Sequence, residues 1–130
     1  MIVLDASVLI GYLDGNDAHH SPAAALLVAA VDDDLAANPL TLAEVLVGPI
    51  RMGRLDAVSE VLQDLGVAEV AFPSDTAVRL ARLRAETGLK LPDCCVLLSA
   101  EVAGAGIASF DDRLQAAAEQ HGLPVFSGGR

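Results

Sequence analysis

The chain has no tryptophan, one tyrosine and three phenylalanines in 130 residues. With Tyr12, Phe72, Phe110 and Phe126 as its only aromatic residues, its interior must pack mainly from the Ala, Val and Leu that dominate the 53% apolar content. Cysteine is equally scarce. Cys94 and Cys95 are adjacent, which suits neither a loop-closing disulfide nor a zinc knuckle, so they read as buried thiols in a reducing compartment. The longest apolar run, Ala23 to Val31, is far too short to span a bilayer, and the N-terminal MIVLDAS lacks a basic leader. The expectation is a cytoplasmic protein with no membrane contact. Repeats, linkers and low-complexity tracts are also missing, so 1–130 reads as a single domain with one core and one site. Surplus aliphatic surface suggests an oligomer or a bound partner.

Positive charge is the other shortage. Eight Lys and Arg face 18 Asp and Glu, a net charge of −10, the reverse of what a phosphate-binding surface usually carries. Six of the eight basic residues fall between Arg51 and Lys90, which leaves room for a local basic face on an acidic body.

What is present is an alternation of short apolar runs with helical patterns. Strands are expected at Ile2 to Leu4, Leu35 to Ala37, Val67 to Phe72, Ile107 to Phe110 and Pro124 to Phe126. Between them the pattern predicts helices over Ala6 to Leu13, from about Pro22 to Asp32, and over Thr41 to Val47, interrupted by Gly48-Pro49. Further helices are expected over Leu55 to Leu65, from a Ser74 cap to Gly88, from Pro92 through Val102, and over Asp111 to His121. Such βα alternation implies an α/β fold, a five-stranded parallel sheet flanked by helices on both faces. Ligands then bind beyond the carboxyl ends of the strands.

Four carboxylates fall where these elements would aim them at that edge. Asp5 ends the first strand, Glu44 is early in the helix after the second, Asp93 starts a helix behind Pro92, and Asp111 follows the fourth strand. Each has a plain structural explanation. Asp5 suits an N-cap, Thr41-Leu42-Ala43-Glu44 has capping-box spacing, Asp93 favours a helix dipole, and Ser109 could cap a helix bearing Asp111 and Asp112 in its first turn. Together they point at one edge of one sheet. Two carboxylates about 4 Å apart repel by about 4 kcal/mol at an effective dielectric of about 20, so such a group either raises its own pKa values or takes up a cation. Oxygen donors suit Mg²⁺ or Mn²⁺, and a metal-activated water can attack a phosphodiester.

The fragments MIVLDASVLI, LTLAEV, LPDCCVL and IASFDDRL, in that order across the chain, resemble the successive motifs of the PIN-domain family, in particular its VapC-type toxins. The resemblance implies a Mg²⁺- or Mn²⁺-dependent endoribonuclease, a homodimer, and a cognate VapB-like antitoxin as partner. By motif it assigns Asp5, Glu44, Asp93 and Asp111 as catalytic acids, with Asp5, Asp93 and Asp111 on the metal. Ser7 and Ser109 are the accompanying hydroxyls, and Asp112 is a supporting acid without a firm place. Arg79, Arg82 and Arg113 are candidate RNA contacts, against the plain reading of solvated or ion-paired arginines. His19, His20 and His121 are not expected to be catalytic.

Other classes fit less well. A receiver-like signalling domain wants an acidic pair near the first strand and a late lysine, and the only lysine is Lys90. Asp5-Ala6-Ser7 lacks the second acid of an Asp-x-Asp phosphatase. A catalytically silent PIN fold that only binds protein is the remaining alternative, and retention of all four acids speaks against it.

Overall fold

Three apolar residues in a row suffice for a strand covered on both faces, and Ile2, Val3 and Leu4 are all buried. A computed structural model describes residues 1–126. In chain order it places β1 (Ile2–Leu4), α1 (Ala6–Leu13), α2 (His20–Ala29), β2 (Leu35–Ala37), α3 (Pro39–Arg51), α4 (Leu55–Leu65) and β3 (Ala68–Glu69). Then follow α5 (Thr76–Thr87), α6 (Leu91–Ala103), β4 (Gly106–Ala108) and α7 (Asp112–Gln120). The sheet is parallel, in the order β3-β2-β1-β4, with Val3 opposite Ala36 on one side and Ile107 on the other. The chain winds outward in both directions from β1. The crevice between the carboxyl ends of β1 and β4 is therefore the switch point at which such sheets bind ligands.

Alternation along β1 divides the interior in two. Ile2 and Leu4 join a cluster with Val8, Leu9, Leu26 and Val45 from α1, α2 and α3, whereas Val3 faces Leu97, Leu98, Ile107 and Leu114 on the side of α5, α6 and α7. Fully burying one such side chain contributes about 1.5–3 kcal/mol, so short strands hold because both faces are covered.

Several boundaries differ from the sequence expectation, each for a local reason. The sheet has four strands among the described residues. Of the expected fifth strand only a bridge between Val125 and Ile107 forms, because Pro124 has no N–H to extend the ladder. Gly106 is required there, since a Cβ would meet the Pro124 carbonyl oxygen at 2.9 Å. β3 is two residues long because β2 ends at Ala37, which leaves only its carbonyl to receive Val70 N–H at 2.9 Å. β4 stops at Ala108, and Ser109 and Phe110 turn away from the ladder. α3 starts two residues before Thr41 and runs through Gly48-Pro49 to Arg51, with Met52 N–H on Gly48 O (3.1 Å) and Arg54 N–H on Pro49 O (2.7 Å) holding its end. α5 starts at Thr76 instead of being capped by Ser74: Thr76 N–H and hydroxyl both return to Pro73 O.

Candidate active site

Asp5 is the first residue after β1 and the N-cap of α1. Its Oδ1 accepts Val8 N–H (3.1 Å) and the Ser7 hydroxyl (2.6 Å), and its Oδ2 accepts the Ser109 hydroxyl (2.5 Å). Both serines are bridges. Ser109 Oγ accepts Asp111 N–H at 2.9 Å and Ser7 Oγ accepts Phe110 N–H at 3.2 Å, so one carboxylate ties the end of β1 to the turn after β4. Asp5 is thus a helix cap, as the plain reading has it, and also the hub of the crevice. Burial pushes its carboxyl up, the three hydrogen bonds pull it down, and the nearby Asp111 raises it further, with a net upward shift.

The capping-box explanation of Glu44 does not hold. Asn38, fully buried, is the N-cap of α3, and its Oδ1 accepts Thr41 N–H at 2.9 Å while Pro39 takes the first helical position. Thr41 is thereby inside the helix, and Glu44 is free of any capping duty. Partial loss of hydration, and then the charge of Asp5, raises its carboxyl.

Asp93 lies in the first turn of α6 behind Pro92. Loss of hydration raises its carboxyl most, then Asp111, Asp5 and Glu44 in turn, against a smaller opposing pull from Lys90. Asp111 caps α7 through Oδ1, which accepts Arg113 N–H (2.8 Å) and Leu114 N–H (3.2 Å). Ser109, expected to cap this helix, instead serves Asp5.

A cavity of about 170 Å³ is lined by all four acids together with Ser7, Thr41 and the apolar Ala6, Pro92 and Val96. Among the described residues no Lys, Arg or His lines it, so none of them neutralises the charge of the acids from within. An all-oxygen donor set with uncompensated charge fits a hard divalent cation. Among the described residues no three His, Cys, Asp or Glu side chains stand close enough to hold one ion together. A cation there would be held directly by at most two of these carboxylates and through water by the rest.

Other expected residues sit apart. Asp112 is exposed in the first turn of α7 and does not line the cavity. Arg79 pairs with Glu101 (3.3 Å) and Asp75 (3.8 Å). Glu101 lies eight residues beyond Asp93 on α6, about 12 Å along the axis, so Arg79 is at the far end of that helix. Arg82 and Arg113 are exposed and make no ion pair among the described residues. A larger cavity of about 550 Å³ adjoins the first, shares Glu44 with it, and runs between Ile10 on α1, Gly48 and Met52 at the end of α3, and Val58 on α4.

The sequence pattern placed the cap of α3 at Thr41 and passed over Asn38, although Asn before Pro is a cap before a first helical position. It also passed over Lys90, whose charge reaches Asp93.

The PIN domain family profile matches residues 2–125. Among solved structures, the fold is similar to a toxin–antitoxin complex from Klebsiella pneumoniae (TM-score 0.73, 24% identity, 85% of this chain and 87% of that one). It is likewise similar to VapC20 of Mycobacterium tuberculosis, described as a sarcin–ricin loop cleaving toxin (0.74, 18%, 90% and 95%). FitAcB from Neisseria gonorrhoeae is a third (0.70, 19%, 97% and 96%). At these identities the likeness is one of fold. No curated protein matches significantly.

Proposed function

This chain belongs to the PIN-domain family, and on that premise we propose that it is a Mg²⁺- or Mn²⁺-dependent endoribonuclease, the toxin of a toxin–antitoxin pair. The observation that carries the reading is the convergence of Asp5, Glu44, Asp93 and Asp111, from four separate elements, on one cavity that no basic side chain among the described residues lines. Structural need does not explain that convergence, since Glu44 caps nothing and Asp93 accepts no hydrogen bond among the described residues.

Asp5, Asp93 and Asp111 would hold the metal, one or two of them directly and the rest through water. When bound, it would lower the pKa of a water and offset charge developing on the phosphate. The protein's own part is to place and orient. Ser7 and Ser109 fix both oxygens of Asp5, and the cap bonds fix Asp111 Oδ1, leaving its Oδ2 for the cavity. Glu44, with an upward-shifted carboxyl, accepts the proton that the attacking water gives up. Arg113, in the first turn of the helix that Asp111 caps, serves the RNA backbone; Arg79 is committed to Glu101.

The partner is a basic antitoxin segment, and fold likeness to a toxin–antitoxin complex supports it. Val47, Ile50, Met52 and Leu55 are exposed apolar side chains from the end of α3 to the start of α4, Met52 lining the larger cavity, and are available to that partner or to a second copy in a homodimer. Among the described residues no helix is long and apolar enough to cross a membrane; the proposed place of action is the cytoplasm.

RNA cleavage by the purified chain should disappear with EDTA and return with excess Mg²⁺ or Mn²⁺. Cleavage that persists without metal overturns the mechanism. A chain inert toward a panel of structured RNAs with either metal, and harmless when expressed alone, is a silent binding module.

A further inference from the structure

Beside the carboxylates stands an aromatic stack that the mechanism above leaves unused. The rings of His19 and Phe110 lie 4.7 Å apart between centroids at 15°, a parallel stack, and the His19 side chain is half exposed. In a chain with four Phe and Tyr residues, this placement is not a by-product of abundant aromatics. Phe110 is bonded covalently to Asp111, and its N–H donates to Ser7 Oγ, which in turn donates to Asp5 Oδ1. The stack is therefore mounted on the same turn and hydrogen-bond network that set the acidic crevice.

His19 is held in place from behind. Its N–H donates to Asp17 Oδ1 at 2.8 Å, and the neighbouring His20 Nδ1 meets Gly11 O at 2.9 Å. A Cβ at position 11 would come within 3.2 Å of both His19 Cβ and its carbonyl oxygen, so glycine lets the start of α2 close onto α1. The imidazole itself is not needed for the helix, since His19 makes no side-chain cap bond to α2. The His19 ring rests on Phe110, which packs against the core, its Nδ1 lies 3.8 Å from Asp17 Oδ1, and half of its side chain remains open to solvent.

Resting on the ribonuclease reading, we infer that His19 on Phe110 is a stacking platform for the base of a nucleotide flanking the scissile phosphate. Single-stranded RNA is recognised by bases splayed onto aromatic or histidine rings. Such a platform needs few positive charges, which suits an acidic protein. It fixes the register of the strand where backbone contacts by arginine are sparse.

The test measures KM and kcat of the Mg²⁺-loaded protein on a short single-stranded RNA, and on the same RNA with an abasic nucleotide beside the cleaved bond. His19→Ala should raise KM on the intact RNA about 5- to 150-fold, the range base–aromatic stacking carries. His19→Tyr should restore it, His19→Leu should not, and on the abasic RNA all four proteins should have the same KM. A His19→Ala protein with wild-type KM on the intact RNA, or with an equal loss on both RNAs, overturns the platform while leaving the nuclease standing. A loss of thermal stability with KM unchanged marks the stack as packing only and overturns it too. A wild-type protein that cleaves no RNA fails at the earlier step, and both readings go.

Discussion

At the scale of single residues, helix capping and the proposed catalytic role fall on the same carboxylates at Asp5 and Asp111. Asp111 shows how to part them. Asparagine is as good an N-cap as aspartate, so Asp111→Asn should leave stability within about 0.5 kcal/mol, whereas Asp111→Ala should cost about 0.5–2 kcal/mol. Both should lose more than about 100-fold in RNA cleavage, since groups that merely orient metal ligands are worth about 10- to 100-fold. Urea unfolding beside cleavage rates checks this; an active Asp111→Asn protein makes Asp111 a cap and nothing more. A second consequence is pH dependence. Asp5, Glu44 and Asp93 all titrate above their ordinary values, Asp5 chiefly through burial and Asp93 through burial and three like charges. The folded protein thus binds these protons more tightly than the unfolded chain. Their contribution is fully present below about pH 4 and is lost as pH rises through the upward-shifted folded values. Metal-free protein should therefore melt at a higher temperature near pH 5 than at pH 7, and Asp5→Asn should flatten that slope and raise stability at pH 7. Identical slopes for wild type and Asp5→Asn in thermal scans would contradict the assignment.

At the scale of elements, strand and helix order was legible because the apolar runs are short and each is bounded by a turn residue. The α/β class, the parallel sheet and the crevice position of Asp5 and Asp111 all follow from that alternation. Less legible were the ends. Whether β3 reaches Phe72 depends on how far its neighbour β2 extends, a long-range fact that no local pattern carries. Asn38-Pro39 belongs at once to the end of a strand and the start of a helix, and the error of two residues there gave Glu44 a false structural role. The spacing between carboxylates was invisible for the same reason: it is set by the packing of α3 and α6 on the sheet. Pro49 was read as a break and is instead a defect inside α3, leaving the Val45 carbonyl without its i+4 N–H. Pro49→Ala should restore that bond and stabilise by about 1–3 kcal/mol, less than a mid-helix proline because two residues remain to the helix end. A urea midpoint that fails to rise would mean the proline is already compensated by the turn through Arg54.

At the scale of the whole molecule, the net charge of −10 sets a problem that the local sites do not. A nucleic-acid binder that neutralises phosphates with basic side chains loses affinity steeply as salt rises, with a log–log slope of about −0.7 per contacted phosphate on single strands. Here eight basic residues are available against 18 acidic ones, and Arg79 is engaged by Glu101. The far field repels RNA, and only the immediate surroundings of the acidic crevice, once it holds a cation, attract it. Monovalent salt should then screen the repulsion more than it weakens the attraction. At saturating Mg²⁺, kcat/KM on a short RNA should be flat or rise between about 0.02 and 0.15 M salt. The proposed basic antitoxin segment would meet the same field with opposite sign, so its association should slow over that range, while apolar contacts on exposed residues such as Val47, Ile50 and Met52 would keep the complex from dissociating outright. Cleavage that falls with a slope steeper than about −2, the signature of some three neutralised phosphates, would show instead that the scattered arginines form a working basic face.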